Sequence, residues 1–370
     1  MNLTLDNSFG YSFQHFPHEN KSCKLSLFDL DGTLIDTLSG KTFPQNQHDW
    51  KWKFDQTIRV LKEKCIKDDF VCVISNQKGL LKKEEKRDAF MEKIKKIHEE
   101  LEKEGIRMNW FVSFEDDYYR KPMTGSFHFI KNELKKKNIK IQKNGNFFCG
   151  DACGRSKDFS SSDLFFAHNC GFTFYTPEAY FLDEPMPTLH FPKRLYLECT
   201  VKELPKIKVS NLFFVMIVGA PASGKTFLAQ HLQEKYGGVI LESDKIKTQE
   251  KMLKKIEESL SNIKSVFVVG TYPKREIREI FLKKVKDISK DILTYGIQTK
   301  TNKDFIQHLN YFRVESSENK IKKIPDVAYR VYEKDKHDLS LSDGFQSILD
   351  YEPCIHFENK RLEEIYQYYY

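Results

Sequence analysis

The sequence has no long apolar run. Its longest, residues 212–218, falls far short of the ~20 residues that cross a bilayer, so neither a membrane span nor a membrane partner is expected. Cysteines are few and scattered, at positions 23, 65, 72, 149, 153, 170, 199 and 354, with no CxxC pair and no Cys/His spacing that would hold zinc. That excludes a zinc-stapled fold or a disulfide framework and leaves reduced, mostly buried thiols. Arginine is scarce: only 11 of the 60 basic residues are Arg, so an Arg beside a motif carries more information than a Lys, because its planar fork suits phosphate oxygens. The first twenty residues lack the basic start, apolar middle and small-residue cleavage site of a secretory signal. The chain is therefore expected to stay inside the cell, in nucleus or cytoplasm. There is no internal repeat and no low-complexity tract beyond Lys-rich helix faces such as 131–137, which read as solvated surface.

What is present suits two domains. At 370 residues the chain exceeds one ordinary core, and 40% hydrophobic residues exclude wholesale disorder. The formal charge of +7 permits a polyanionic partner without requiring one. Apolar strands alternate with helical stretches: strands near 25–28, 70–75, 110–114 and 147–149, with the clearest helix over 83–104, then strands at 213–218, 239–241 and 266–269 separated by helices from 225, 249 and 275. That alternation predicts α/β architecture with parallel sheets covered on both faces, and active groups at the carboxyl ends of the strands. Prolines 185, 187, 192 and 205 mark a connection, so the domains are expected at 1–204 and 205–370. A monomer is expected.

Two constellations follow apolar strands directly. In FDLDGT, Asp29 stands at a strand end and Asp31 returns to the same side of the chain. Two such carboxylates can share a metal and divide the work, one attacking phosphorus and the other handling the proton of the leaving oxygen. A carboxylate attacking a dianionic phosphate needs charge neutralisation, so Mg²⁺ is expected. Three later loops supply the remainder: Ser75 and Asn76 as neutral donors to phosphate oxygens, Lys121 after Arg120 as a cation, and Asp151 as a further metal ligand. Asp158 and Asp163 follow as candidates either for metal contact or for orienting their neighbours. Trp50 and Trp52 among Lys51 and Lys53 could stack on a terminal base or pack a loop onto the core.

The second constellation is GAPASGKT: Gly219, Ala220, Pro221, Ala222, Ser223, Gly224, Lys225 and Thr226. It matches the phosphate-binding loop in full and follows a strand, as that motif requires. Its amides face ATP phosphates, Lys225 reaches the terminal ones, and Thr226 can ligate Mg²⁺. Asp244, emerging after the next strand, is placed as the base for an accepting hydroxyl.

FDLDGT, ISNQ, RKP and GD…D resemble the four motifs of haloacid-dehalogenase-type phosphatases, whose first Asp becomes an aspartyl-phosphate. More narrowly, DGTLIDTLSGKTFPQNQHDW, YRKPMTG and GDACGRSKDFSSSD resemble the polynucleotide kinase 3′-phosphatase family over residues 24–182, and the GAPASGKT half extends the resemblance over almost the whole chain. The resemblance implies a Rossmann-like phosphatase followed by a P-loop kinase with a parallel sheet. It implies removal of 3′-phosphates and addition of 5′-phosphates at DNA ends, with ATP as donor and Arg313 in a lid over the nucleotide. It also places 39–50 near the mouth that admits a 3′ end. No forkhead-type phosphopeptide module is expected ahead of the phosphatase. RNA stays open as a substrate, because no residue can be pointed to as reading a 2′-hydroxyl.

Departures concentrate in the second half. Ser243 stands where the family has Arg, and Val269 and Gly270 stand where it has an acidic residue. The lid retains only Arg313 after Gln307, His308 and Asn310. Losing a guanidinium that meets transition-state charge can cost several powers of ten in rate. A kinase domain reduced to ATP binding or DNA-end docking is therefore the alternative, and a small-metabolite phosphatase fused to an unrelated NTPase is a third reading.

Overall fold

Continuous apolar stretches become buried parallel strands. The computed structural model describes residues 1, 3–18, 21–65, 69–194, 204–208, 212–353, 357 and 359–370; Cys199 and Cys354 lie outside them. By backbone proximity the chain groups into two units. One is Met1–Lys193 with Tyr311–Lys323 and Lys360–Tyr370; the other is Arg194–Asn310 with Ile324–Asn359. The single boundary read at 204/205 thus differs from this grouping, which sends two later segments to the first unit.

In the first unit the strands Leu25–Phe28, Phe70–Asn76, Asn109–Ser113, Phe147–Cys149 and Thr173–Tyr175 form a parallel sheet in the spatial order third, second, first, fourth, fifth. Nearly every residue of the first three is buried, as a sheet covered on both faces demands. The helix Glu84–Lys103 covers one face: Phe90, Ile94, Ile97 and Leu101 recur at helical spacing and pack with Phe28, Val73 and Trp110. The helix Gly125–Lys136 covers the other, with Ile130 and Leu134 against Leu27, Cys72 and Phe111. Alternate strand residues therefore serve opposite cores.

An antiparallel pair, Thr4–Leu5 and Phe9–Ser12, extends the sheet beside Asn109–Ser113. FGYS is too short and too broken by Gly10 to announce itself as a strand. The Phe9 ring nevertheless stacks on Phe111 at 5.0 Å and meets Phe129 edge-on at 5.0 Å, which ties this edge to the core.

The second unit repeats the principle with another order. The strands Phe213–Val218, Val239–Glu242, Val266–Gly270, Leu293–Thr299 and Ser347–Tyr351 are all parallel, arranged second, third, first, fourth, fifth. Leu228, Ala229 and Leu232 of the helix Lys225–Tyr236 pack against Val215 and Ile217. Residues of the helices Gln249–Ser261 and Arg275–Ile288 pack against Phe214, Met216 and Val218 on the opposite face. The Leu293–Thr299 strand reads as polar, LTYGIQT, yet Thr294 and Gln298 are buried. The Thr294 amide donates to Gln346 Oε1 and Gln298 Oε1 accepts from the Leu339 amide, so burial leaves those groups partnered.

A fully buried ion pair braces this unit. Arg278 donates through Nε to Asp343 Oδ2 at 2.9 Å and through its guanidinium to the carbonyls of Tyr272, Pro273, His337 and Asp338 at 2.9–3.2 Å. Replacing Arg278 with Ala removes the buried cation from Asp343, leaving Arg275 3.3 Å from Oδ1, and takes a donor from four carbonyls, of which that of Pro273 keeps the His337 amide at 3.0 Å. It is expected to destabilise the second unit by about 3–5 kcal/mol, read as a lowered denaturant midpoint for that unit's transition.

The six described cysteines are unbridged, four of them buried. Burial pushes the thiols of Cys72, Cys149 and Cys170 well up, so they are protonated and unreactive. Among the described residues no helix is long and apolar enough to cross a membrane.

Candidate active sites

Asp29 is the first residue beyond the Leu25–Phe28 strand, and its amide donates to the Cys149 carbonyl at 2.9 Å. This fixes it at the carboxyl edge of the sheet, where it is 8% exposed. Lys121, buried, donates through Nζ to Asp29 Oδ1 at 2.6 Å and lies 2.8 Å from Asp163 Oδ1. Carboxylate oxygens of Asp29, Asp151 and Asp163 all lie within 4.8 Å of one another.

Three carboxylates therefore face one ammonium. Burial raises Asp29 well above the ordinary carboxylate range; Lys121 pulls it back, while Asp163 and Asp151 push it further up. Burial, then the neighbouring Asp163, pushes Asp151 up to about 6 against the pull of Lys121. Burial works against the charge of Lys121, but Asp163 and Asp29 outweigh it and hold the ammonium protonated. The pocket is short of positive charge, and an all-oxygen donor set of this kind fits a hard divalent cation such as Mg²⁺.

Two glycines allow the carboxylates this close. A Cβ on Gly32 would stand 2.5 Å from Asp151 Oδ2, and one on Gly150 would stand 2.3 Å from Asp163 Oδ2. Gly150→Ala is therefore expected to push Asp163 away from Lys121. The rate of the chemistry at this centre should fall by about 10²-fold or more, since displacements near 1 Å cost that much, with circular dichroism unchanged.

The other residues read from the sequence fall into place with some differences. Asp163, one of two candidates, is the third carboxylate of the set. Asp158 is not: it accepts from the amides of Cys153 and Arg155 and from Arg155 Nε at 3.0–3.2 Å, which shapes the loop. Asn76, expected to face phosphate, has both side-chain polar atoms engaged, donating to the Lys121 carbonyl and accepting from the Lys121 amide at 3.1 Å. It thus holds the backbone that aims the lysine. Ser75 is buried and accepts from Gln77 Nε2 at 2.9 Å.

Asp31 stands outside the three-carboxylate set, although the sequence reading adds it to the metal ligands. Its two oxygens accept from Lys93 Nζ at 3.1 Å and from Gln77 Nε2 at 2.6 Å. Sequence reasoning missed both partners. A signal for Lys93 exists: it lies three residues after Phe90 on the apolar stripe of its helix, where a buried Lys needs a reason. Trp50 and Trp52 meet edge to face at 5.5 Å. With His48, Lys51, Lys96 and Lys103 they line a cavity of about 500 Å³.

In the second unit, residues 219–224 join the central strand to the helix Lys225–Tyr236. Positive φ at Ala222 (58°) and Gly224 (78°) curls this loop. Lys225 Nζ donates to the Ala220 carbonyl at 2.5 Å, while Ser223 Oγ and Thr299 Oγ1 lie 2.8 Å apart. Ala220 packs with Ile306 and Tyr332. Thr226 Oγ1 donates to Glu242 Oε2 at 3.4 Å, an acidic neighbour the sequence reading did not single out. Asp244 is exposed on the short helix Ser243–Ile246. Helix N-terminal amides, a lysine and a hydroxyl beside a carboxylate suit a nucleotide with its divalent cation. Arg313 lies on the helix Lys303–Ser316, whose Ile306 packs with Ala220 of the loop.

Residues 24–181 match the family described as polynucleotide kinase 3 phosphatase. A bifunctional polynucleotide phosphatase/kinase of Schizosaccharomyces pombe is 30% identical over 358 residues, covering 95% of this chain and 84% of the relative. A protein of Acanthamoeba polyphaga mimivirus, provisionally given the same name, is 30% identical over 355 residues, covering 86% of this chain and 82% of its own. A polynucleotide 3′-phosphatase of Arabidopsis thaliana is 28% identical over 174 residues, covering 44% of this chain and 24% of its own.

Proposed function

The chain belongs to the polynucleotide kinase 3′-phosphatase family, and from that membership we propose that it heals DNA ends, removing 3′-phosphates and phosphorylating 5′-hydroxyls. The observation that carries this reading is the buried Asp29–Lys121–Asp163 arrangement with Asp151 beside it. In the proposed phosphatase step an Asp29 oxygen attacks phosphorus and the bond to the 3′ oxygen breaks. Asp31 gives that oxygen its proton, then takes one from the water that cleaves the aspartyl-phosphate. Lys93 and Gln77 hold the Asp31 carboxylate for this exchange. Lys121 and Ser75 serve the phosphoryl oxygens. Asp29 and Asp151 would hold Mg²⁺ with Asp163 closing the acidic set; the cation, when bound, offsets the repulsion between phosphate and attacking carboxylate.

In the kinase half, the amides of 219–226 and Lys225 would hold the phosphates of ATP. Thr226 would hold the nucleotide's Mg²⁺, and Asp244 accepts the proton of the 5′-hydroxyl. Competition tests the substrate class: a short 3′-phosphorylated DNA strand is expected to be hydrolysed far faster than a sugar phosphate. Equal rates would favour a small-metabolite enzyme. Ser243, Val269 and Gly270 at the kinase site favour a second reading in which this half binds ATP or DNA ends without transfer. Single-turnover transfer of labelled γ-phosphate to a 5′-hydroxyl oligonucleotide decides between them.

A further inference from the structure

The backbone that carries Lys121 is held by three side chains. Asn76 takes the Lys121 amide and carbonyl, both at 3.1 Å. Asn169, on the helix Ser162–Cys170 that also carries Asp163, donates through Nδ2 to the Pro122 carbonyl at 3.1 Å. Glu315 accepts from the Thr124 amide at 3.3 Å and from the Thr124 hydroxyl. All of these residues belong to the first unit.

Neither Glu315 nor Asn169 is ordinary core filling. Glu315 is only 2% exposed, and a carboxylate taken out of water is costly unless donors meet it. Burial pushes its carboxyl up to about 7, and the Thr124 donors are the largest pull against that rise. Thr124 precedes the helix Gly125–Lys136, whose first amides favour a negative charge nearby. Asn169 is braced in turn: it donates to the Tyr369 carbonyl at 2.7 Å and accepts from the Tyr369 amide at 2.9 Å. Val314, beside Glu315, packs with Tyr118 and Met123 of the same loop. Tyr311 and Tyr370 pack against that group and stack on each other at 5.0 Å. The segments 311–323 and 360–370 therefore reach the Lys121 loop with polar and apolar contacts alike.

We propose that Glu315 and Asn169 are positioning residues of the phosphatase centre, fixing the backbone of 121–124 so that the Lys121 ammonium stays at Asp29 and Asp163 and meets the phosphoryl group. This rests on the reading of Lys121 as the cation that serves the phosphoryl oxygens. It makes 3′-phosphate removal depend on Glu315 and, through Asn169, on Tyr369, both far beyond the stretch 24–181 that carries the phosphatase motifs.

The test is a double-mutant cycle on 3′-phosphate removal in the full chain. Glu315→Ala leaves the Thr124 amide and hydroxyl without their acceptor and is expected to lower kcat about tenfold or more, since a misplacement near 1 Å costs about 10²-fold. Glu315→Gln, which keeps an acceptor for the Thr124 amide, should recover most of that rate. Asn169→Ala removes no buried charge and should lose a similar factor, which carries the test if Glu315→Ala does not fold. In a Lys121→Met background neither alanine change should cost further rate, because both residues act only through Lys121. Alanine variants within about twofold of wild type, or losses that multiply with that of Lys121→Met, overturn the proposal and leave Lys121 in the mechanism. A Lys121→Met enzyme at the wild-type rate overturns the reading of Lys121, and the proposal with it.

Discussion

Asp29→Asn is expected to abolish 3′-phosphate removal, by about 10⁴-fold or more, while leaving 5′ phosphorylation at the wild-type rate. The magnitude follows from the role: a carboxamide cannot form the acyl-phosphate, and loss of a nucleophile removes the covalent route altogether. The fold should survive. Lys121 would keep Asp163 at 2.8 Å, so the substitution does not strand a buried ammonium. It also removes one negative charge from three crowded carboxylates, so the melting temperature should stay level or rise. Steady-state assays on defined 3′-phosphate and 5′-hydroxyl ends, with a melting curve, check all three outcomes. Phosphatase activity within tenfold of wild type would remove Asp29 from the mechanism.

Lys225→Ala is expected to do the reverse, lowering 5′ phosphorylation by about 10³-fold with the phosphatase untouched. Transfer of a phosphoryl group involves little covalent work by the protein, so most of the rate comes from cations and amides placed around the phosphates. Lys225 opens its helix, and its ammonium turns back over the loop to the Ala220 carbonyl. That is a short reach from where the terminal phosphates would lie. Alanine also leaves the buried face of the helix intact, since Leu228, Ala229 and Leu232 make the core contacts. Parallel loss of both activities would mean that the two units are energetically coupled, or that the variant unfolds.

Much of this site could be read from the sequence, because each motif directly follows an apolar strand and a parallel sheet delivers strand ends to one edge. Asp29, Lys121 and Asp151 are found that way. Lys93 is not: the helix Glu84–Lys103 carries many lysines, and periodicity alone marks the inward one only weakly. Gln77 escapes because its role depends on where the Asp31 carboxylate turns. Asp158 and Asp163 look alike in sequence and separate only when Arg155 is seen to engage the first. The Leu293–Thr299 and Ser347–Tyr351 strands are missed for a related reason: their Thr, Gln and Asp residues read as loop, and the partners of Thr294 and Gln298, Gln346 and Leu339, come from neighbouring segments. The grouping of 311–323 with the first unit leaves no local signal at all.

The central claim is that Asp29 is phosphorylated during turnover. Rapid acid quench of the enzyme with a 3′-radiolabelled phosphate oligonucleotide, followed by peptide mapping, tests it most directly. The account predicts a hydroxylamine-labile label on the peptide containing Asp29, absent in Asp29→Asn. Turnover with no protein-bound label at any quench time, or a label on a different side chain, would contradict it.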